Sequence, residues 1–244
     1  MSGFDYDRVA ARYDRHRSGG GPYFPRLTAL ADGCGATRVL EVGAGTGNET
    51  VLFLQAHPCA LTALEPSANM LEAGRAKGLP VRWVRGAAPA LPFQDGAFNF
   101  LFASYVLHHV RDLGPFLSEC ARVLACGCAA FVTVSQAFIH GHVMNAYFPS
   151  LAVIDAARFQ PIPEVEAAMR AAGFRDVASE DSTSPPRIID AEYIEKIADH
   201  FISTYALLPE DEFAKGLARL REDVFLRGKR ISMVREATLV WGFR

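Results

Sequence analysis

Between residues 38 and 135 short apolar runs alternate with amphipathic stretches, and that alternation sets the architecture. Arg38-Val39-Leu40-Glu41-Val42 has the length and β-branched content of a buried strand, closed by Gly43-Ala44-Gly45-Thr46-Gly47. Residues 48–57 predict a helix with Val51, Leu52 and Leu54 available for burial. Ala60–Glu65 predicts a second strand. Residues 67–77 predict a helix with Met70, Leu71 and Ala73 inward, ended by Gly78 and Pro80. Residues 81–84 and Phe98–Ser104 predict a third and a fourth strand. The fourth is apolar nearly throughout, as expected of a strand covered on both faces. Asp112 opens a helix to Leu124, and residues 129–135 predict a fifth strand.

The regularity breaks after Ser135. Residues 136–160 carry His140, His142, Tyr147 and Phe148 and do not fit a simple crossover. Residues 161–172, closing at Gly173, predict a helix before a strand at 174–179. Pro185-Pro186 leads into an amphipathic stretch over 191–225, split near Pro209, and 231–243 returns as a last strand. Strands alternating with helices imply parallel pairing with helices on both faces. The expected fold class is α/β: a doubly wound, mostly parallel Rossmann-like sheet with an antiparallel last strand and a helical cap. The core is expected over 1–136, 161–182 and 230–244. The insertions 137–160 and 183–229 are expected to meet over one sheet edge and cover the substrate.

Composition narrows the function classes. The chain has 244 residues, half of them hydrophobic, and a formal charge of −2, which disfavours bulk electrostatic binding to nucleic acid or anionic lipid. The first 33 residues are polar and helical in pattern, broken at 18–22. Their arginines Arg8, Arg12, Arg15 and Arg17 alternate with Asp5, Asp7 and Asp14, which predicts a salt-bridged helix face for all but Arg17. No leader and no membrane-spanning run is evident in the pattern, and five cysteines are an odd number, so a reduced, cytoplasmic setting is expected. Cys126-x-Cys128 lacks the spacing and the second ligand pair of a zinc site; buried, inert cysteines at a tight turn are expected, and no metal.

Strand, Gly-x-Gly-x-Gly, helix is the signature of a nucleotide-cofactor loop, because glycines admit a ligand to the backbone and the helix start offers free N–H groups. A dinucleotide fingerprint wants a small residue at the sixth position, where Asn48 stands. Glu41 would repel a pyrophosphate yet suits a ligand carrying an ammonium group. Glu65 ends the second strand where a carboxylate can accept hydrogen bonds from ribose hydroxyls.

The segment Val39-Leu40-Glu41-Val42-Gly43-Ala44-Gly45-Thr46-Gly47 resembles the cofactor motif of class I S-adenosylmethionine-dependent methyltransferases, and residues 64–71 (Leu-Glu-Pro-Ser-Ala-Asn-Met-Leu) resemble their second motif. Residues 90–99 with Val106-Leu107-His108-His109-Val110 resemble the ubiquinone/menaquinone-biosynthesis-like (methyltransferase type 11) branch. So does the opening Phe4-Asp5 with Ala11-Arg12-Tyr13-Asp14 and Arg17. The resemblance implies S-adenosyl-L-methionine as cofactor. Gly43 and Gly45 would pass beneath its methionine and ribose, Glu41 would receive the ammonium, and Arg17 with Tyr13 would face the carboxylate. Glu65 would hold the ribose, Pro66 and Met70 would lie near the adenine, Ala87 and Ala88 would meet its edge, and Ser104 would lie beside the sulfonium. Three positions depart from the family pattern. Ala87 replaces an acidic residue for the adenine amino group, Asn99 replaces an aspartate, and Ala125-Cys126-Gly127-Cys128 replaces a Pro-Gly-Gly turn.

A sulfonium methyl is already activated, so alignment and exclusion of water suffice, with a base where the acceptor carries a proton. His109, His108 and Tyr105, just after the fourth strand, are the candidate catalytic groups; His140 and His142 are weaker ones. Phe138, Tyr147, Phe148 and Phe159 suggest an apolar or aromatic small-molecule acceptor or, equally, core packing. The expected function is metal-independent methyl transfer to a small molecule. The alternatives are a dinucleotide-dependent oxidoreductase and a non-catalytic S-adenosylmethionine-binding protein. The accepting atom and the oligomeric state are not written in the sequence.

Overall fold

The computed structural model describes residues 14–16 and 19–244. Seven strands form one sheet, in the order β3-β2-β1-β4-β5-β9-β6. β1 (Arg38–Val42), β2 (Ala60–Glu65), β3 (Arg82–Arg85), β4 (Phe98–Ser104) and β5 (Leu124–Thr133) pair in parallel. β9 (Glu236–Phe243) runs antiparallel between β5 and β6 (Arg175–Thr183). The sheet is therefore mostly parallel, flanked by helices, with the last strand reversed as the sequence predicts.

The chain steps outward from β1 to β2 and β3, then returns to β1's other side as β4. That reversal opens a crevice at the carboxyl ends of β1 and β4, the place where open α/β sheets bind ligands. One face of the sheet buries Phe53, Phe100, Phe102, Cys128 and Trp241 with α1 (Phe24–Gly33) and α2 (Asn48–Ala56). The other face buries Leu40, Leu101, Phe116 and Phe131, with α4 (Leu113–Val123) and α7 (Ile162–Ala171). Beside β2 and β3 lies α3 (Ala68–Arg75), with Met70, Leu71 and Gly74 buried, Gly74 against the Trp83 ring. β4 is covered on both faces, as its continuous apolar run requires.

Several local expectations are corrected. The buried face of α2 is Glu49, Thr50 and Phe53, while Val51, Leu52 and Leu54 are only half-covered. Two polar side chains are inward because the helix start leans on the crevice. Residues 125–128 form no turn: α4 runs directly into β5, which begins at Leu124, and Cys126 is exposed while Cys128 is buried. The expected last strand divides into β8 (Ser232–Met233), paired with β7 (Arg187–Ile188) in a separate two-stranded sheet, and β9. Asn99 has a structural function: its amide oxygen accepts from the Thr37 and Arg38 N–H groups at 3.0 and 2.9 Å, and its amide nitrogen donates to the Gly35 carbonyl.

The two insertions share a third apolar core. Met144, Phe148 and Leu151 of the first pack with Ile194, Ile197, Tyr205 and Leu220 of the second. The first contributes α5 (Gln136–Gly141) and α6 (Ser150–Arg158), the second α8 (Ala191–Ala198) and α9 (Glu210–Arg221). Polar clasps cross between them. Tyr147 Oη donates to Asp223 Oδ2 at 2.9 Å, Ser150 Oγ to Glu212 Oε2 at 2.6 Å, and Thr204 Oγ1 to Asp155 Oδ1 at 2.7 Å. Lys229 and Arg227 neutralise the buried Asp223, and with the Tyr147 hydroxyl they hold its carboxyl below the usual carboxylate range against the cost of burial. Buried Tyr147 and Phe148 are core residues of this body; Phe159 is buried too, against His108, and of the four aromatics Phe138 alone is half-exposed.

Candidate active site

The glycine loop leaves β1 with positive φ at Gly43, Gly45 and Gly47. The N–H groups of Gly43 and Ala44 donate to the Leu64 carbonyl, locking the loop onto the end of β2. Gly45 has φ +56° and open space where a Cβ would stand, so its bare edge faces the crevice. The Trp83 ring backs the loop at Gly47 from β3. Sequence reasoning missed Trp83; a large aromatic on a short edge strand carries no motif.

Two strand-end carboxylates converge on this loop. Glu65 Oε2 accepts from the Gly45 N–H at 2.8 Å and Oε1 from the Ser67 N–H at 2.9 Å. The carboxylate therefore bridges the loop to the start of α3, whose first turn is capped by the Ser67 hydroxyl. Glu41, 2 % exposed, accepts from Thr50 Oγ1 at 2.5 Å. Burial pushes its carboxyl up to about 8; the Thr50 hydrogen bond opposes this and the charges of Glu49 and Glu65 add to it. A buried carboxyl raised by desolvation and by like charges stands ready to ionise when a cationic ligand arrives.

Asp14 grips the loop from outside. It accepts from the Thr46 hydroxyl and from Asn48 Nδ2, and it pairs with Lys77 Nζ at 2.9 Å. Burial pushes the Asp14 carboxyl up, but the Thr46 and Lys77 hydrogen bonds with the Lys77 and Asn48 contributions outweigh it, and the net direction is down. His16 Nε2 meets Asp199 Oδ2 at 2.6 Å, beyond the C-terminus of α8, so residues 14–16 touch both the loop and the second insertion. Tyr13 and Arg17 lie outside the described residues.

The remaining predicted cofactor residues fall around the same strand ends. Pro66 and Ala87 are exposed and Ala88 is half-buried, all beside the ends of β2 and β3. Met70 is buried at 1 %, so its side chain is a packing element of α3 as the structure stands. Ser104 closes β4 beside the Tyr23–Glu49 pair. Tyr105 follows with φ +57°, a left-handed conformation costly for a bulky residue and of the kind that clusters at functional sites. Its N–H donates to the Val132 carbonyl of β5 and its ring meets Tyr23 edge-on at 6.3 Å.

His108 and His109 occupy a short 3-10 turn, Leu107–His109, directly after β4. Their rings stand 3.9 Å apart, and His108 stacks on Phe159 at 4.2 Å and 24°. The end of β4 is thereby joined to the first insertion, and Gln136 Nε2 fixes that junction by donating to the Phe159 carbonyl. His140 is exposed. His142 is half-buried, its Nδ1 accepts from the Met144 N–H, and burial lowers its proton affinity. A cavity of about 320 Å³ lined by Ser135, Gln136, Pro161, Asp181 and Thr238 lies toward β6 and contains none of the predicted site residues. Among the described residues, no three His, Cys, Asp or Glu side chains cluster as a metal site would need.

Comparisons with known proteins bear on the family and the fold. Residues 40–132, from the middle of β1 to β5, match the methyltransferase domain family. A demethylmenaquinone methyltransferase of Mycobacterium sp. (strain KMS) is 38% identical over 123 residues, 48% of this chain and 52% of the relative. A ubiquinone/menaquinone biosynthesis C-methyltransferase of Desulfotalea psychrophila is 33% identical over 130 residues, 50% and 53%. The chain thus spans about half the length of these curated relatives. Among solved structures, one described as a methyltransferase from an antibiotic biosynthesis pathway of Anabaena variabilis superposes with a TM-score of 0.71 at 21% identity, covering 89% of this chain and 96% of that one. At that identity the likeness concerns the fold alone. Residues 40–132 of this chain are thus similar to the methyltransferase domain, and the relatives that align over this half of the chain are named methyltransferases.

Proposed function

We propose that the chain transfers the methyl group of S-adenosyl-L-methionine to a small apolar or aromatic acceptor, by metal-independent in-line displacement. One observation carries this reading: two buried strand-end carboxylates, Glu41 and Glu65, flank a glycine loop whose backbone is bare at Gly45. A diphosphate would meet negative charge there. An ammonium-bearing nucleoside meets a carboxyl at each polar end.

In this reading Glu41 receives the ammonium and Glu65 exchanges its bonds to the Gly45 and Ser67 N–H groups in part for ribose hydroxyls. Pro66, Ala87 and Ala88 border the adenine. Met70 supports α3 beneath it, Ser104 lies beside the sulfonium, and Arg17 with Tyr13 serves the carboxylate. His109, His108 and Tyr105 face the acceptor, with His109 the first candidate for a base where the accepting group carries a proton. The cofactor supplies an activated methyl on sulfur. The protein aligns the acceptor behind it and keeps water out, which is the service we assign to insertions 137–160 and 183–229. The names of the matched relatives point to a quinone-type aromatic acceptor.

Calorimetric titration separates this reading from a dinucleotide-dependent enzyme. Binding of S-adenosylmethionine and S-adenosylhomocysteine, with none of NADH, is expected; the reverse pattern overturns it. Labelled cofactor incubated with cell extract, followed by identification of the labelled small molecule, tests for turnover. A chain that binds cofactor but labels no small molecule would favour a non-catalytic binding protein.

A further inference from the structure

Where α9 ends, the chain makes one π-helical turn, Glu222–Leu226, and leaves it through Gly228 with φ +62°. Such turns are rare and concentrate at functional positions. This one holds two consecutive apolar side chains in water: Phe225 is 53 % exposed and Leu226 82 %. Single exposed apolar residues are ordinary on a protein surface. These two are adjacent, and their turn is anchored from within. Asp223, 1 % exposed, meets Arg227 Nη1 at 3.2 Å and Lys229 Nζ at 2.8 Å, and accepts from the Tyr147 hydroxyl at 2.9 Å. The backbone closes around it, the Arg227 N–H donating to the Glu222 carbonyl and the Lys229 N–H to that of Asp223. A buried carboxylate with three donors fixes the turn to the insertion core, so the apolar pair is presented on a rigid mount.

The stretch that bears the pair is cationic. Residues 219–230 contain Arg219, Arg221, Arg227, Lys229 and Arg230 against Glu222 and Asp223, and Asp223 is withdrawn into the core. The whole chain has a formal charge of −2, so this stretch is opposite in sign to the rest of the molecule. Charge acts over about a Debye length, roughly 8 Å in physiological salt, so the local sign outweighs the net one at a contact surface. An apolar tip with basic flanks matches an anionic bilayer: the apolar groups enter the headgroup boundary while Arg and Lys keep their charges at the phosphates. A second copy of the chain is a poorer match, because a two-fold contact would set these cations against their own copies. We propose that Phe225 and Leu226, with Arg227, Lys229 and Arg230 following them, form a docking tip that seats the second insertion on an anionic lipid surface. Among the described residues no helix is long and apolar enough to cross a bilayer, so the contact is interfacial. The inference stands without the cofactor reading. Joined to it, the tip brings the insertion side of the domain to the phase in which an apolar acceptor collects.

Co-sedimentation of the full chain with lipid vesicles tests this, without cofactor. One set holds about two parts phosphatidylcholine to one part phosphatidylglycerol, the other phosphatidylcholine alone. Binding to the anionic set is expected, about tenfold or more tighter than to the neutral set and weakened by about 0.5 M salt. Phe225→Ser combined with Leu226→Ser should lower affinity for the anionic vesicles about tenfold or more. Both side chains are exposed, so the thermal unfolding midpoint should not move. Arg230→Gln should lower the affinity about fivefold. Should the double variant fail to fold, Leu226→Ser alone is expected to cost about fivefold. No vesicle binding by the wild-type chain, equal binding to both compositions, or binding unchanged in the Phe225 and Leu226 variants overturns the proposal. Dimerisation in sedimentation velocity that Leu226→Ser abolishes, with no vesicle binding, overturns it too and assigns the tip to a second copy. Because no cofactor is present, failure here leaves the cofactor reading standing, and failure of the calorimetric titration leaves this inference standing.

Discussion

The two sides of the crevice are built in different ways. The loop side is assembled from neighbouring strand ends: Glu41 and Glu65 lie on strands that pair directly, so sheet register places both carboxylates. The insertion side is assembled from segments about fifty residues apart that make their own core before they meet the sheet at Phe159 and His108. The first arrangement can be rigid without help from side-chain packing far away. The second depends on packing between α6, α8 and α9, so its stability and the cofactor chemistry should be separable.

The sharpest way to break that separation is Leu220→Ala. Leu220 is fully buried in the insertion core, and its truncation should destabilise the protein by about 3 kcal/mol in denaturant unfolding. Binding of S-adenosylhomocysteine should be kept within about twofold; parallel loss of both would show that the two sides form one unit. Next in size, Glu65→Ala removes the acceptor bridging Gly45 and Ser67 and should weaken cofactor binding by roughly thirtyfold, about 2 kcal/mol. A smaller loss than threefold would mean that the loop is held without it. On the acceptor side, His109→Ala should lower turnover by about tenfold or more while cofactor affinity stays constant; unchanged turnover removes His109 from the chemistry.

The smallest effect concerns protons. The Glu41 carboxyl is raised to about 8 in the folded protein, chiefly by burial. A raised folded value means that its contribution to stability is fully present below the ordinary carboxylate range and is lost as pH rises through about 8. A ligand ammonium favours the ionised form, so cofactor binding near pH 7 should release close to one proton, and affinity should increase toward pH 8. Titrations in buffers of different ionisation enthalpy measure this directly. Glu41→Gln should abolish the proton release and flatten the stability profile over the same interval. Release that persists in that variant assigns the proton elsewhere.

The loop side was legible because its chemistry is local. Strand, three glycines and a helix lie within nineteen residues, Arg38 to Ala56, and the alternation of apolar runs placed Glu65 beside them. Glu49 was not legible: a carboxylate in a first helical turn is ordinarily solvated, and only the approach of Gly20 and Tyr23 buries it. The same holds for the direction of α2, where a polar face is inward against the apolar expectation. Cys126 and Cys128 had been expected together at a turn, but the strand starts earlier: residues near its start, Cys126 among them, are exposed, and from Cys128, where β9 begins to pair, it is buried.

The sequence by itself determined a mostly parallel sheet with a reversed last strand and the identity of the groups at the end of each central strand, since these follow from periodicity and short spacings; the strand order, and with it the switch point, belongs to the tertiary structure. Tertiary structure alone decided which groups are buried as charges, that Tyr147 and Phe148 serve the insertion core, and that His108 is held by Phe159. Those outcomes depend on contacts between residues tens of positions apart. Burial, and with it the affinity of a carboxyl for its proton, is a property of the surroundings, not of the residue.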